Sequence, residues 1–406
     1  MMRKYGFLSI LTLFSLFCNA QFNLQPGKWK GTLQREDGHH IPFELAIEKQ
    51  GKKPVFYIVN DTERMKTEDI VMSKDSILIK MPVFESYFRV KIITKDSLNG
   101  VWIKGGSAKD LVMPFYAVSG VSRFPKKAPG NLQQVAGKWK MEFTRVDQTK
   151  RPAIGEFSQQ GQQIRGSVLT PAGDYRYLVG TLAADSMFLS TFDGVHALFF
   201  AAKITNGALR GNYYSSASKP EPWVAVKDAN VTLDPPVTAV KEGSDGLLDF
   251  SFKDLDGNAV SLKDKRFKDK VVVLQLMGSW CPNCMDEMAF LSDYYRKNKN
   301  RGIEIIALAY ELSTDKARSR KSLKKFQQQF KVEYPMLNTG VTVGDPQRTE
   351  KTLPQLTQIK VFPTTIFLDK KGKVNKINTS FYGPGTGKYH TEYKLEFEKT
   401  ITKLLE

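Results

Sequence analysis

The 406-residue sequence predicts a multidomain chain, an N-terminal all-β region of two repeated antiparallel units followed by a C-terminal α/β domain. Three observations predict it. Residues 21–240 are filled with short runs of alternating apolar and polar residues, separated by Gly-containing turns and showing no useful helical period. Short words recur at nearly one spacing. Gly27-Lys28-Trp29-Lys30 returns as Gly137-Lys138-Trp139-Lys140 and Asp75-Ser76 as Asp185-Ser186, both 110 residues on, and Leu98-Asn99-Gly100 as Leu209-Arg210-Gly211. Beyond the linker Asp234-Pro235-Pro236-Val237 the pattern changes to alternating strand and helix.

Taken in order, residues 1–20 come first. Arg3 and Lys4 precede the apolar run Gly6 to Phe17, and small residues end at Ala20. This predicts a secretory signal peptide and a mature protein in the periplasm or cell envelope. Cleavage after Ala20 discards Cys18. Lipid attachment at Cys18 is the alternative, but the bulky Phe17 before it fits that processing poorly, so a soluble protein is expected. The first β unit is expected over 21–125, with strands at Phe43 to Ile47, Ser76 to Lys80 and Phe88 to Ile93. The second is expected over 126–238, after the turn-rich stretch from Phe124 to Gly130. Each reads as a small barrel or curled sheet, with Trp29 and Trp139 as core plugs. His39, His40 and His196 have no partners legible in the sequence, and a metal site is not expected. The β units are expected either to serve an unknown partner or to act as spacers.

The α/β domain is expected over 239–406. Val271 to Met277 is a continuous apolar run, as in a strand buried on both faces. Gly278-Ser279-Trp280 turns the chain into Cys281-Pro282-Asn283-Cys284. A helix follows, because Cys284, Met288, Leu291 and Tyr295 share one face and Pro282 suits its first turn. Ile303 to Ala309 is the next strand and 315–330 the next helix. Val361 to Asp369 is a strand entered through Pro363, Val374 to Ser380 runs back beside it, and a helix from His390 to Leu405 closes the domain.

These residues resemble the thioredoxin superfamily. Trp280-Cys281-Pro282-Asn283-Cys284 after a buried strand, with Phe362-Pro363-Thr364 later, carries the resemblance and implies a thioredoxin fold. The hairpin Phe250 to Leu262, the strand Lys270 to Leu274 and Glu287 after the CxxC resemble its exported TlpA/ResA branch. The β region joined to such a domain is similar to secreted thioredoxin-like proteins of the Bacteroidetes. The resemblance implies an exported thiol-disulfide oxidoreductase, chiefly a disulfide reductase of envelope proteins, whose working group is a redox-active Cys281–Cys284 disulfide and which needs no further cofactor. It implies protein or peptide thiols as substrates and a membrane thiol donor of the DsbD/CcdA type as electron source. It also implies a cis Pro363 lying against the disulfide, with Phe362 and the preceding carbonyl offering an edge to substrate.

The chemistry fits the residues. Disulfide exchange needs a thiolate, and a helix N-terminus favours negative charge, so Cys281 is the expected nucleophile and Cys284 the resolving thiol. Glu287 is the candidate to move protons for Cys284, with a surface carboxylate as the plain alternative. Thioredoxin carries a buried acid six residues before its first cysteine; Gln275 stands there, so proton handling must differ. Trp280, Pro282, Phe362 and Thr364 are candidate substrate contacts. So are Gly383 and Gly385, in a glycine-rich loop expected to rim the site. That loop lacks the spacing of a phosphate-binding loop.

Three cysteines exclude a disulfide scaffold, and one CxxC without further ligands argues against zinc. The net charge of +18 raises nucleic acid as a partner, but the excess is spread over both halves, so none is expected. Lys316, Arg318, Arg320, Lys321, Lys324 and Lys325 read as a solvated helix face, with a docking patch for an acidic partner as the alternative. The competing functions are a peroxiredoxin-like peroxidase and an envelope binding module centred on the β units.

Overall fold

The computed structural model describes residues 24–51, 53–68, 70–73, 76–124 and 132–406. The expected signal peptide, Cys18, Asp75 and most of the turn-rich join after Phe124 lie outside these residues.

Nine strands between Gly27 and Ser119 form one antiparallel sheet. Its first strand, Gly27–Gln34, lies between His40–Gln50 and Leu111–Ser119, so the chain ends beside its own start. The period-two pattern turns Trp29, Leu33, Phe43, Phe88 and Phe115 into the core. A second nine-stranded antiparallel sheet runs from Gly137 to Lys227, with Gly137–Thr144 between Lys150–Gln160 and Glu221–Lys227. Here Gln163–Thr170 pairs with both Lys150–Gln160 and Leu178–Ala183, and the sheet closes into a barrel. Trp29 and Trp139 are buried, and their indole N–H groups donate to Gln25 and Val135 carbonyls, each at 2.8 Å.

The two sheets share a core. Phe192, from a barrel strand, enters the apolar interior of the first sheet. Its ring centroid lies 4.5 Å from Phe43, 5.4 Å from Trp102 and 5.6 Å from Phe88. Asn60 donates to the Phe192 carbonyl at 2.8 Å, and the buried Arg123 donates to the carbonyls of Val59 and Ser190. These bonds satisfy backbone groups that the contact removes from water.

The third sheet has seven strands and a thioredoxin fold. Val271–Met277, Ile303–Ala309 and Met336–Asn338 are parallel, and Thr364–Leu368 and Val374–Asn378 add an antiparallel edge. The first two of these strands are buried along their whole length, as their unbroken apolar runs require. Four helices accompany them: α1 (Pro282–Asn298), α2 (Lys316–Phe330), the short α3 (Arg348–Thr352) and α4 (Lys388–Leu405). Val271, Val273 and Met277 face the core shared with α1, α2 and α4, while Val272, Leu274 and Leu276 face the opposite layer. The strand expected over 361–369 is shorter, because Pro363 has no N–H to give the ladder.

The basic stripe of α2 is solvated only in part: Lys316, Arg320 and Lys321 are exposed, while other members pair within the chain. Arg318 pairs with Glu85 at 2.6 Å and Lys325 with Glu68 at 2.9 Å, both on the first β sheet's side. Lys324 pairs with Asp256 of the domain's own hairpin at 2.9 Å. Much of the stripe's acidic complement therefore lies elsewhere in the same chain.

Phe192→Ala should remove a ring shared by both sheets and destabilise the N-terminal region by about 3–5 kcal/mol, read as a lower urea midpoint. A midpoint unchanged from wild type would show that the two sheets are stable independently.

Candidate active site

Cys281 stands in extended backbone as the N-cap of α1, and Pro282 opens the helix. The proline's missing N–H is one that a first helical turn leaves unpaired anyway. The backbone N–H of Cys284 donates to Cys281 Sγ at 3.2 Å, and that sulfur lies 3.6 Å from the Phe362 carbonyl oxygen. The Phe362–Pro363 peptide is cis. Both cysteines are free thiols; Cys284 is fully buried and Cys281 is only 5% exposed. Burial holds the Cys284 thiol well above the usual range, with the neighbouring Cys281 adding to the effect.

Glu287 is buried one turn after Cys284, so it is not the surface carboxylate of the plain reading. Gln275 Nε2 donates to it at 2.9 Å and to the Cys284 carbonyl at 3.3 Å. Thr365 and Tyr393 hydroxyls donate to its other oxygen, Tyr393 at 2.7 Å. The strand position that holds an acid in thioredoxin thus carries an amide, which bridges a carboxylate placed on the helix to the backbone of the second cysteine.

The next side chain, Asp286, ties the helix to the β region. Arg176, fully buried on a turn leaving the barrel, pairs with Asp286 and with Glu63 of the first sheet. The same guanidinium lies 3.4 Å from the Pro282 carbonyl. Burial alone would lower the Arg176 pKa, but the charges of Asp286 and Glu63 raise it. Burial pushes the Asp286 carboxyl up to about 7, against the pull of Arg176. Asn283, inside the CxxC, exchanges two bonds with the backbone of Asp174: its amide oxygen accepts from the N–H at 2.9 Å and its nitrogen donates to the carbonyl at 3.2 Å.

Comparison with known proteins shows the family of the redox domain. Residues 244–377 match the family model described as the AhpC/TSA family. The thiol-disulfide oxidoreductase ResA of Bacillus thuringiensis is 36% identical over 126 residues, covering 31% of this chain and 62% of that protein. ResA of Geobacillus thermodenitrificans is 30% identical over 155 residues, covering 38% of this chain and 79% of that protein. This chain belongs to the ResA family of thiol-disulfide oxidoreductases. It spans less than two thirds of the length of the Bacillus thuringiensis relative. Among solved structures, the thioredoxin domain of a thiol-disulfide oxidoreductase from Bacteroides vulgatus is 25% identical, covering 39% of this chain and 99% of that one, with a TM-score of 0.29.

Around the ResA-type centre, several expected contacts sit otherwise. Thr364 is fully buried, pairs with Leu276 in the sheet and donates its hydroxyl to Val361 O at 2.8 Å, so its side chain does not reach a substrate. The glycine-rich loop does return beside the CxxC, but the barrel occupies it. Gly383 N–H donates to Asp174 at 2.7 Å, Tyr382 O–H to the Thr170 carbonyl at 3.1 Å, and Ser380 O–H to the Pro171 carbonyl at 2.6 Å. A Cβ on Gly383 would stand 2.7 Å from Asp286 Oδ2, and one on Gly385 2.7 Å from the Arg176 backbone. These glycines permit that docking. Trp280 is partly buried, with its indole N–H on the Tyr310 carbonyl at 2.9 Å and its ring edge-on to Phe362. Pro282 is buried. His196 does have a partner: Asp193, which also accepts from the His196 and Val195 backbone N–H groups.

The sequence reading missed Arg176, Asp174, Thr365, Tyr393 and Glu311. Glu311 follows Tyr310 and accepts both the backbone N–H of Ser279, at 2.9 Å, and its hydroxyl, so it braces the turn before Trp280. Two of them carried a usable signal. Tyr393 falls on the expected C-terminal helix, and Glu311 is an acid directly after a buried strand.

Arg176→Met should leave Asp286 and Glu63 without their cation and lower stability by about 3–5 kcal/mol in urea unfolding. A loss under about 1 kcal/mol would be that of an exposed pair. Burial raises the Glu287 carboxyl above its ordinary 4.5, against the hydrogen bonds from Thr365, Tyr393 and Gln275. A carboxyl raised by folding holds its proton more tightly in the folded chain. Its contribution is therefore present at low pH and lost as pH rises from the unfolded value through the folded one. Glu287→Gln should flatten that decline in urea titrations carried upward from the ordinary carboxyl range; an unaltered slope would contradict the burial account.

Proposed function

We propose that this protein is an exported disulfide reductase acting on envelope proteins through a Cys281–Cys284 dithiol cycle. The observation that carries the reading is the placement of Cys281 Sγ, which receives the Cys284 N–H and lies beside the Phe362 carbonyl and Pro363. The Cys281 thiolate attacks one sulfur of a substrate disulfide. A Cys281–substrate disulfide forms and the other substrate sulfur leaves as a thiolate. Cys284 then loses its proton and attacks Cys281, which forms the Cys281–Cys284 disulfide and releases the second substrate sulfur reduced. Glu287, linked by Gln275 to the backbone of Cys284, is the group that takes that proton. Two electrons from a membrane thiol donor of the DsbD/CcdA type return the pair to dithiol.

Export rests on the sequence of residues 1–20. No helix among the described residues is long and apolar enough to cross a membrane. The reading also divides the chain into a signal peptide, two β units over 21–125 and 126–238, and a redox domain over 239–406. The two units are copies of one ancestor, a view supported by the matching places of Gly27–Gln34 and Gly137–Thr144 between their neighbours and by the equivalent indole bonds of Trp29 and Trp139.

The Cys281→Ser variant should lose reduction of an insulin-type disulfide. Cys284→Ser should accumulate a mixed disulfide on Cys281, visible by intact-protein mass spectrometry. Turnover that survives Cys281→Ser, or adducts that form on Cys284 instead, would refute the assigned roles.

A further inference from the structure

Trp280, the residue before Cys281, forms part of the wall of a partly open cavity of about 100 Å³. The rest of the wall comes from all three sheets' neighbourhoods: Glu85 and Lys104 from the first, Val195 and His196 from the barrel, and Glu311 from the redox domain. The β region therefore supplies much of the cavity wall that faces Trp280, the neighbour of Cys281 in the chain.

The charged groups that line this cavity are unequally engaged by one another. Glu85 is neutralised by Arg318 at 2.6 Å. Both Glu311 oxygens are engaged by Ser279, and burial pushes that carboxyl up to about 7. Asp193 stands behind His196 and is engaged by it and by two backbone N–H groups. Lys104 is partly buried and, among the described residues, has no carboxylate within ion-pairing distance; Asp193 acts on it only through space, while burial lowers its pKa. A partly desolvated ammonium without a contacting counter-charge is unfavourable, and an anion entering the cavity to touch it relieves that cost. One ammonium without a contacting partner suits a monoanion. The volume holds several waters, since about 10–15 Å³ of such space suffices for one, and this is room for a carboxylate on a short stem and not for a folded partner.

We propose that this cavity is a substrate subsite that accepts the carboxylate of an acidic side chain flanking the substrate's cysteine, with Lys104 as its counter-charge. The proposal rests on the oxidoreductase reading. It gives the β region a task in that reading: choosing which disulfides reach Cys281.

Binding can be measured without turnover, using the full chain and redox-inert peptides in which serine replaces the target cysteine. Three peptides that differ only in the flanking residue, Glu, Gln or Lys, are compared by calorimetry. The Glu peptide should bind about tenfold more tightly than the Gln peptide. That preference should vanish in Lys104→Gln and shift to the Lys peptide in Lys104→Glu. Equal affinity of wild type for the Glu and Gln peptides, no measurable binding of the Glu peptide, or a preference that survives Lys104→Gln would each overturn the proposal. The wild-type comparison needs no variant to fold. Reduction of a neutral disulfide peptide by wild type is scored separately: its absence would count against the oxidoreductase reading, while the binding preference would still be judged by the inert peptides.

Discussion

A buried guanidinium must keep its charge and find acceptors for its donors, because stripping water from an ion is expensive and only close opposite charges repay it. Arg176 meets that demand with groups from three places: Glu63 on the first sheet, Asp286 on the cysteine-bearing helix, and the Pro282 carbonyl at that helix's start. It does so from a left-handed backbone conformation, φ 54°, that a side chain rarely adopts. Its Nε finds no protein acceptor. The arrangement persists only while all three parts stay in register. The position of α1, and with it the two thiols, is thereby referenced to the β region as well as to its own sheet.

The other contacts follow the same logic. Asn283 copies a strand partner by exchanging two bonds with Asp174, the glycine-rich loop lies against the barrel without side chains in the way, and α2 sets Arg318 and Lys325 on acids beside the first sheet. Between them the described parts form a shell around the CxxC that leaves Cys281 only 5% exposed. A domain of this family with its cysteine helix facing water would have no such enclosure. In this chain the reactive sulfur sits at a junction, so the surroundings of the chemistry are composite.

Much of the redox domain was legible in the sequence because its signals are local. An unbroken apolar run, a CxxC at a helix start and a proline at a strand entrance each fix their structure within a few residues. The helices and strands from Val271 to Leu405 accordingly fell close to their expected bounds. Glu287 was legible as a candidate by helical spacing, but its burial depends on Thr365 and Tyr393, which lie far along the chain. The contacts of Arg176 and Asp174 left no local trace, since a turn residue pairing with a helix more than a hundred positions away alters no periodicity. For the same reason the ion pairs of Arg318 and Lys325 in the basic stripe of α2 could not be foreseen, and the glycines at 383 and 385 looked like an open rim. Thr364 was misjudged because its place beside Pro363 says nothing about which face of the strand its hydroxyl takes.

The shared core of the two β sheets bears on how the chain is made. Phe43, Phe88 and Trp102 come off the ribosome well before Phe192, the ring that completes their packing. The first sheet, although synthesised first, stays unfinished until much of the barrel has followed it. N-terminal segments of long chains usually fold as they emerge. In this one the opening segment waits with an apolar gap that a later segment fills, so a chaperone has a defined interval in which to bind it.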